Sequence, residues 1–161
     1  ETIGNGLFNK TYDIDLKYIT SRGNWYFTSW KGDEEKSGGI ASNIGVHFFD
    51  MLQWIFGPMK EFNVTIKTKD TNAGTLVLQK ANVKWYLSIN NDNLPQKIKE
   101  KGQTTFRNLS IEGKEIEFSK GFTDLHSISY ENILKGKGFS LNEAKNSVEI
   151  VGAIRNSITS N

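Results

Sequence analysis

Three side chains able to do chemistry interrupt an otherwise apolar stretch, "SGGIASNIGVHFFDMLQWIFG" at 37–57. They are the amide of Asn43, the imidazole of His47 and the carboxylate of Asp50. On a helix of about 3.6 residues per turn, Asn43, His47, Asp50 and Trp54 fall at i, i+4, i+7 and i+11. That stripe lies beside an apolar face of Ile40, Ile44, Phe48, Met51, Leu52 and Ile55. An imidazole, with an ordinary pKa of about 6.5, accepts a proton at neutral pH, and a neighbouring carboxylate can orient it. His47 is thus a candidate general base. Two other readings stay open. One is a core histidine hydrogen-bonded to Asp50; the other is a metal ligand, for which "HxxD" and one further histidine, His126, make a thin donor set.

Two glycine signals surround this stripe. Gly45 inside a helix costs about 1 kcal/mol relative to alanine, which predicts close approach by another backbone or a ligand. "SGG" at 37–39 opens the helix, where free amide N–H groups can meet an anionic or hydroxylated ligand. "GP" at 57–58 closes it.

The elements that must position these residues follow from periodicity. "YDIDLKYI" (12–19) alternates Tyr12, Ile14, Leu16 and Tyr18 against Asp13, Asp15 and Lys17, a half-buried strand. An irregular segment at 20–39, rich in glycine, serine and aromatics, leads into the helix at 40–56; loops of that length are often functional. Strand-like runs follow at 61–69, 73–81, 82–90 and 103–113, with a short fifth at 114–119, joined by turns of hairpin length. The polar stretch 91–102 is expected as a connection. Two helices close the chain, one from Thr123 to Leu134, the other from a capping pattern at Ser140 and Glu143 to Ile158, with Ile150, Ala153, Ile154 and Ile158 as its stripe. The sum is an α+β fold: one domain over 1–161 with an open, mostly antiparallel sheet and helices packed on one face.

Composition narrows the function classes. Twenty Lys+Arg against 18 Asp+Glu give +2 with the signs mixed along the chain, not the dense basic stripe of a nucleic-acid binder. Zero cysteines exclude disulfides and thiolate metal sites, and fit a reducing cytoplasm. No apolar run is long enough to span a membrane. Aromatics at 12% can fill a core or face a sugar.

At this point the chain resembles a known family. "SGGIASNIGVHFFDMLQWIFG" resembles the "GG…D-x-G-x-H-x-x-D…W-x-x-G" segment in the C-terminal substrate domain of the glucose–fructose oxidoreductase/inositol dehydrogenase (Gfo/Idh/MocA) family. More narrowly, 18–52 is similar to bacterial oxidases of UDP-N-acetyl-glucosaminuronic acid, and 122–155 looks like the family's closing helices. The resemblance implies a C-terminal domain of the glyceraldehyde-3-phosphate dehydrogenase-like kind. The Rossmann domain that holds NAD or NADP is absent: "GNG" at 4–6 and "GKG" at 136–138 lack the third glycine and the strand–helix context.

It further implies a chemistry. The C3 hydroxyl of a UDP-sugar uronate is oxidised to a ketone for surface polysaccharide, His47 takes its proton, and Asn43 positions the hydroxyl or His47 where many relatives carry aspartate. Asp50 is then a packing or orienting residue. Arg22 and Lys31 are candidates to pair with the uronate carboxylate or diphosphate, Tyr26 and Trp30 to stack on the sugar or anchor the loop, and Lys36 and Ser37 to donate hydrogen bonds. His126 is expected as a cap or interface residue and "GDEE" at 32–35 as a solvated turn. The resemblance also implies self-association through the sheet as a dimer or tetramer, with Val64, Ile66, Trp85 and Leu87 on its apolar faces, and pairing with the chain's own N-terminal Rossmann domain. The rival expectations are a non-catalytic nucleotide-sugar-binding or oligomerisation module and a lectin-like scaffold.

Overall fold

The computed structural model describes residues 10–116 and 124–159. The alternation read from the sequence makes β1 (Tyr12–Thr20), which buries Tyr12, Ile14, Leu16 and Tyr18 and exposes Asp13, Asp15 and Lys17. The later strands are β2 (Met59–Lys67), β3 (Thr71–Leu78), β4 (Ala81–Ser88), β5 (Thr105–Ile111) and β6 (Lys114–Glu115). The fifth expected run continues to 119, beyond the described residues. One sheet holds all six in the order β2-β3-β4-β1-β5-β6. Every neighbouring pair is antiparallel except the central one: β1 runs parallel to β4, from Tyr12 opposite Ala81 to Ile19 opposite Ser88.

That parallel pair decides where the helices go. Parallel neighbours need a crossover connection over one face of the sheet. Here the crossover carries α1 (Asn24–Thr28), a 3-10 turn (Trp30–Gly32), α2 (Glu34–Ser37), a π-helical turn (Ala41–Gly45) and α3 (Val46–Phe56) before the hairpin β2–β3 returns to β4. The helix expected at 40–56 therefore starts as a π turn. Its wider winding puts an i+5 step into the buried series Ile40, Ile44, Phe49, Leu52, Phe56. Phe49 and Phe56 are fully buried, whereas Phe48, Met51 and Ile55, expected on the inner face, pack at its margin.

Gly45 shows why the turn can sit so low. A Cβ built there would come within 2.8 Å of both Leu87 Cδ1 and Phe49 Cε2. The close approach expected at this glycine is real, but it is to core side chains rather than to a ligand.

Helix α6 (Leu141–Asn156) packs across α3 and covers the same face with Ile150 and Ile154. Its start is the expected capping box: Ser140 N donates to Glu143 Oε2 (2.6 Å) and Glu143 N to Ser140 Oγ (3.4 Å). It ends before Ile158, which is exposed. Polar bridges fix the pair of helices. Ser147 Oγ donates to Asp50 Oδ1, while Gln53 donates to the Asn146 carbonyl (3.1 Å) and accepts from Met59 N (3.2 Å). Lys67 Nζ caps the end of α6 through the carbonyls of Arg155 (2.5 Å) and Ser157 (3.3 Å).

Several expectations are corrected. The 91–102 connection is not plain loop: a 3-10 turn (Asn91–Asn93), buried Leu94 and α4 (Gln96–Glu100) pin it to the body. A bulge between Val64 and Ile66 turns Ile66 out, so Val64 is buried and Ile66 is not. Helix α5 runs Leu125–Leu134, with Thr123 outside the described residues, and it buries none of its side chains. The second sheet face is open and polar, carrying Asp13, Asp15, Lys17, Asn82 and Lys84.

Two measurements check this packing. Gly45→Ala should lower stability by about 1–3 kcal/mol, because both neighbours are fully buried and overpacking outweighs better helix propensity. Gly152→Ala in α6, where nothing lies within 4 Å of the added carbon, should raise it by up to about 1 kcal/mol; urea unfolding that moves both variants the same way would contradict the assignment. Ser147→Ala and Asp50→Ala should each cost about 1 kcal/mol, and the double variant no more than either alone, since both remove one bond.

Candidate active site

The loop between β1 and the π turn is ordered by its own polar groups. Asp33 caps α2: its Oδ1 accepts from Glu35 N (3.1 Å) and Lys36 N (3.4 Å), and its other oxygen pairs with Lys36 Nζ at 2.8 Å. Those bonds, the Lys36 side chain first, hold the Asp33 carboxyl below the usual range and the Lys36 ammonium above it. The "GDEE" turn is therefore a helix cap.

Gly38 and Gly39 follow with φ of 77° and 75°, a left-handed pair that only glycine adopts without strain. Their amides are not free for a ligand, as the sequence led us to expect. Gly38 N donates to the Glu34 carbonyl (2.9 Å) and Gly39 N to Ser37 Oγ (3.1 Å). Ser37 thereby holds this turn.

Tyr26 anchors the segment. It is buried, with Trp25 and Phe27 edge-on at 5.9 and 5.7 Å. From the π turn Asn43 reaches into it, its Nδ2 donating to Tyr26 Oη (3.2 Å) and to the Lys31 carbonyl (3.3 Å). Burial pushes the Tyr26 phenol pKa up; the Asn43 bond and the Arg22 charge pull the other way. Arg22 is placed through its backbone, N–H to the Ile89 carbonyl at 3.2 Å, and its Nε is buried with no partner among the described residues. Arg22, Tyr26, Asn43 and the Lys31 backbone thus form one neighbourhood. The Lys31 ammonium instead lies 5.8 Å over the exposed Trp30 ring.

His47 sits one turn further on. It is exposed, and among the described residues it has no hydrogen bond or ion pair. The core-histidine reading does not hold, because Asp50 gives its carboxylate to Ser147 across the helix pair. Asp50 is a packing residue, as expected. Among the described residues no three His, Asp or Glu side chains group closely enough to hold a metal. Trp54 is 86% exposed. His126 is exposed on α5. A hollow of about 350 Å3 lined by Asp15, Lys17, Lys84, Tyr86, Phe106 and Asn108 lies on the open sheet face, opposite α3 and away from His47. Sequence reasoning missed Ser147 and Gln53, whose polar atoms join α3 to α6; only the short polar interruptions of two apolar stripes hinted at them.

The helix thus carries a fixed amide, Asn43, and one turn on an exposed imidazole, His47. Comparison with known proteins shows the family. Residues 1–96 match the family described as "Oxidoreductase family, C-terminal alpha/beta domain". The WlbA (WbpB) dehydrogenase of Thermus thermophilus, solved with NAD and α-ketoglutarate, is 44% identical over 94% of this chain and 49% of its own, with a TM-score of 0.89. The same enzyme solved with NAD and UDP-GlcNAcA is 42% identical over 99% of this chain and 50% of its own, at TM-score 0.91. WlbA of Bordetella pertussis shares the fold at 20% identity and TM-score 0.68, over 91% of this chain and 51% of its own. The chain spans about half the length of these relatives. It belongs to the Gfo/Idh/MocA oxidoreductase family, as a C-terminal alpha/beta domain.

Proposed function

We propose that this chain is the substrate-side half of an NAD(P)-dependent dehydrogenase. The enzyme would oxidise the C3 hydroxyl of a UDP-N-acetyl-hexosaminuronic acid to a 3-keto sugar in the making of surface polysaccharide. The observation that carries the reading is the 42–44% identity, over nearly the whole chain, to an enzyme solved with NAD and UDP-GlcNAcA.

The residues present fit a chain that leaves the cofactor to another domain. β1 runs into short helical turns rather than into a G-x-G-x-x-G turn and helix, so among the described residues no dinucleotide cradle exists. NAD or NADP is expected on a Rossmann half outside this chain. When bound, the nicotinamide supplies the hydride acceptor.

The remaining work falls to this chain. His47, exposed and without a partner among the described residues, takes the proton of the hydroxyl as C3 becomes a carbonyl. Asn43 holds that hydroxyl in line. The Arg22 guanidinium takes the carboxylate or a diphosphate oxygen, and Lys31 adds positive charge at the rim, Lys36 being paired with Asp33. The exposed Trp30 ring, with the Lys31 ammonium over it, offers an aromatic surface to the pyranose, while Tyr26 and Ser37 keep the loop in shape. Two copies pair through the open sheet face. There Asp13 and Asp15 run beside Lys17 and Lys84, so a two-fold axis can set acidic groups of one copy against basic groups of the other. Among the described residues no helix is long and apolar enough to cross a membrane; a cytoplasmic enzyme is the setting this reading needs.

Two experiments test it. With the cofactor half joined to this chain, His47→Ala should cut NAD reduction by UDP-GlcNAcA by about 10²–10⁴-fold while the unfolding midpoint stays put; unchanged turnover would exclude His47 as the base. Sedimentation at micromolar concentration should show a dimer or tetramer that Lys84→Glu weakens, and a monomer for the unaltered protein would remove the sheet-face pairing.

A further inference from the structure

We propose that the Lys31 carbonyl and the Tyr26 hydroxyl together hold the Asn43 amide so that only its acceptor oxygen meets the ligand, the carbonyl setting the orientation and Tyr26 acting as the positioning residue that keeps it there. The ligand's identity, though not the orientation itself, rests on the nucleotide-sugar reading above. A carboxamide offers two donors on one side and an acceptor on the other, and its shape alone does not say which way it faces. Here a carbonyl says so. The Lys31 backbone oxygen can only accept, so the Asn43 atom 3.3 Å from it must be Nδ2. The same nitrogen lies 3.2 Å from Tyr26 Oη. Both N–H groups of Asn43 are thereby used inside the protein, and Oδ1 has no bond to any described residue.

Tyr26 is built for this part. It lies 17 residues before Asn43 in the chain, fully packed and clasped by Trp25 and Phe27, so its hydroxyl oxygen cannot follow the amide if the amide turns. Burial keeps the phenol protonated and neutral, an acceptor of ordinary strength for one N–H. Turning the amide over would set Oδ1 against the Lys31 carbonyl, two acceptors face to face, and lose that bond, which a Tyr26 O–H turned round to donate to Oδ1 would not restore.

The consequence is a chemical polarity. A fixed, uncharged acceptor binds a hydroxyl or a protonated nitrogen and repels a carboxylate or phosphate oxygen. The nearby cation, Arg22, has a buried Nε without a partner among the described residues, and it is the group that suits an anion. A sugar acid therefore enters with a hydroxyl toward Asn43 and its anionic end toward Arg22.

The test has two arms. On the chain without ligand, ¹⁵N NMR should show the Asn43 side-chain amide protons exchanging about tenfold more slowly than those of exposed Asn91, and Tyr26→Phe, which keeps the ring, should speed them. Exchange as fast as that of Asn91, or no response to Tyr26→Phe, overturns the proposal. In the second arm UDP-N-acetylglucosaminuronic acid and its 3-deoxy analogue are titrated into the chain. Asn43→Leu should weaken the first by about tenfold and leave the second nearly unchanged; equal losses for both also overturn it. If the unaltered chain binds neither sugar even when joined to the cofactor half with NAD present, the nucleotide-sugar reading falls, while the exchange arm still decides how Asn43 is held.

Discussion

The contact between the π turn and β4 at Gly45 governs the rest of the molecule. Because β1 and β4 lie side by side and parallel, the chain between them must climb over the sheet, and it can do so closely only where it carries no side chain. The glycine lets Leu87 and Phe49 fill the space a Cβ would occupy. The helix that follows is then held with Phe49, Leu52 and Phe56 beneath it and His47, Asp50 and Trp54 facing out. A Cβ at that point would lift the helix start off the sheet, and with it the amide and imidazole that it carries.

Each polar group near this turn has a separate employment. Asp50 serves the joint with α6, Gln53 the joint with α6 and β2, and Asn43 the loop through Tyr26 and Lys31. Buried donors and acceptors are costly when unpaired, so these bonds hold the helices at one distance and rotation. Arg22 is placed in the same manner from the other side. Ile89, which accepts its backbone N–H, itself donates to the Asp70 carbonyl, and the Asp70 side chain takes bonds from Thr68, Thr71 and Asn90. The cation's backbone is thus fixed by a polar knot at the hairpin end, while its buried Nε has no partner among the described residues. What remains uncommitted is the set that could meet a ligand.

The strands, the capping box and the one-sided layering were legible because they rest on local alternation and on short-range hydrogen bonds. "YDIDLKYI" cannot bury its tyrosines without exposing its aspartates, and Ser140 with Glu143 closes its own ring. The π turn was not legible. A helix of 3.6-residue period and one with a single wide turn share most of their pattern, and the difference appears only in which of Phe48 and Phe49 is buried, a matter settled by Leu87 and Trp85 far along the chain. The same holds for Ile66, turned outward by a bulge, and for Leu94, an isolated leucine that gives a polar stretch its anchor. At the candidate site, the stripe and the resemblance supplied only the residues to consider. The division of labour was not, since the partners of Asn43 and Asp50 lie 17 and 97 residues from them.

An exposed imidazole is by itself a weak catalyst, because water competes for its proton and screens every charge around it. The flank that carries His47 also exposes Trp54, an aromatic surface that water covers at a cost. A wall placed over this flank would bury that surface, expel the water and bring a hydride acceptor to the carbon whose hydroxyl His47 faces. On the proposed reading the two halves therefore do different physical work. This one supplies rigid placement, through Gly45, Tyr26 and the α3–α6 bonds; the other supplies enclosure and the cofactor. Such a division explains why a domain with so fixed a set of polar groups leaves the His47 imidazole in the open.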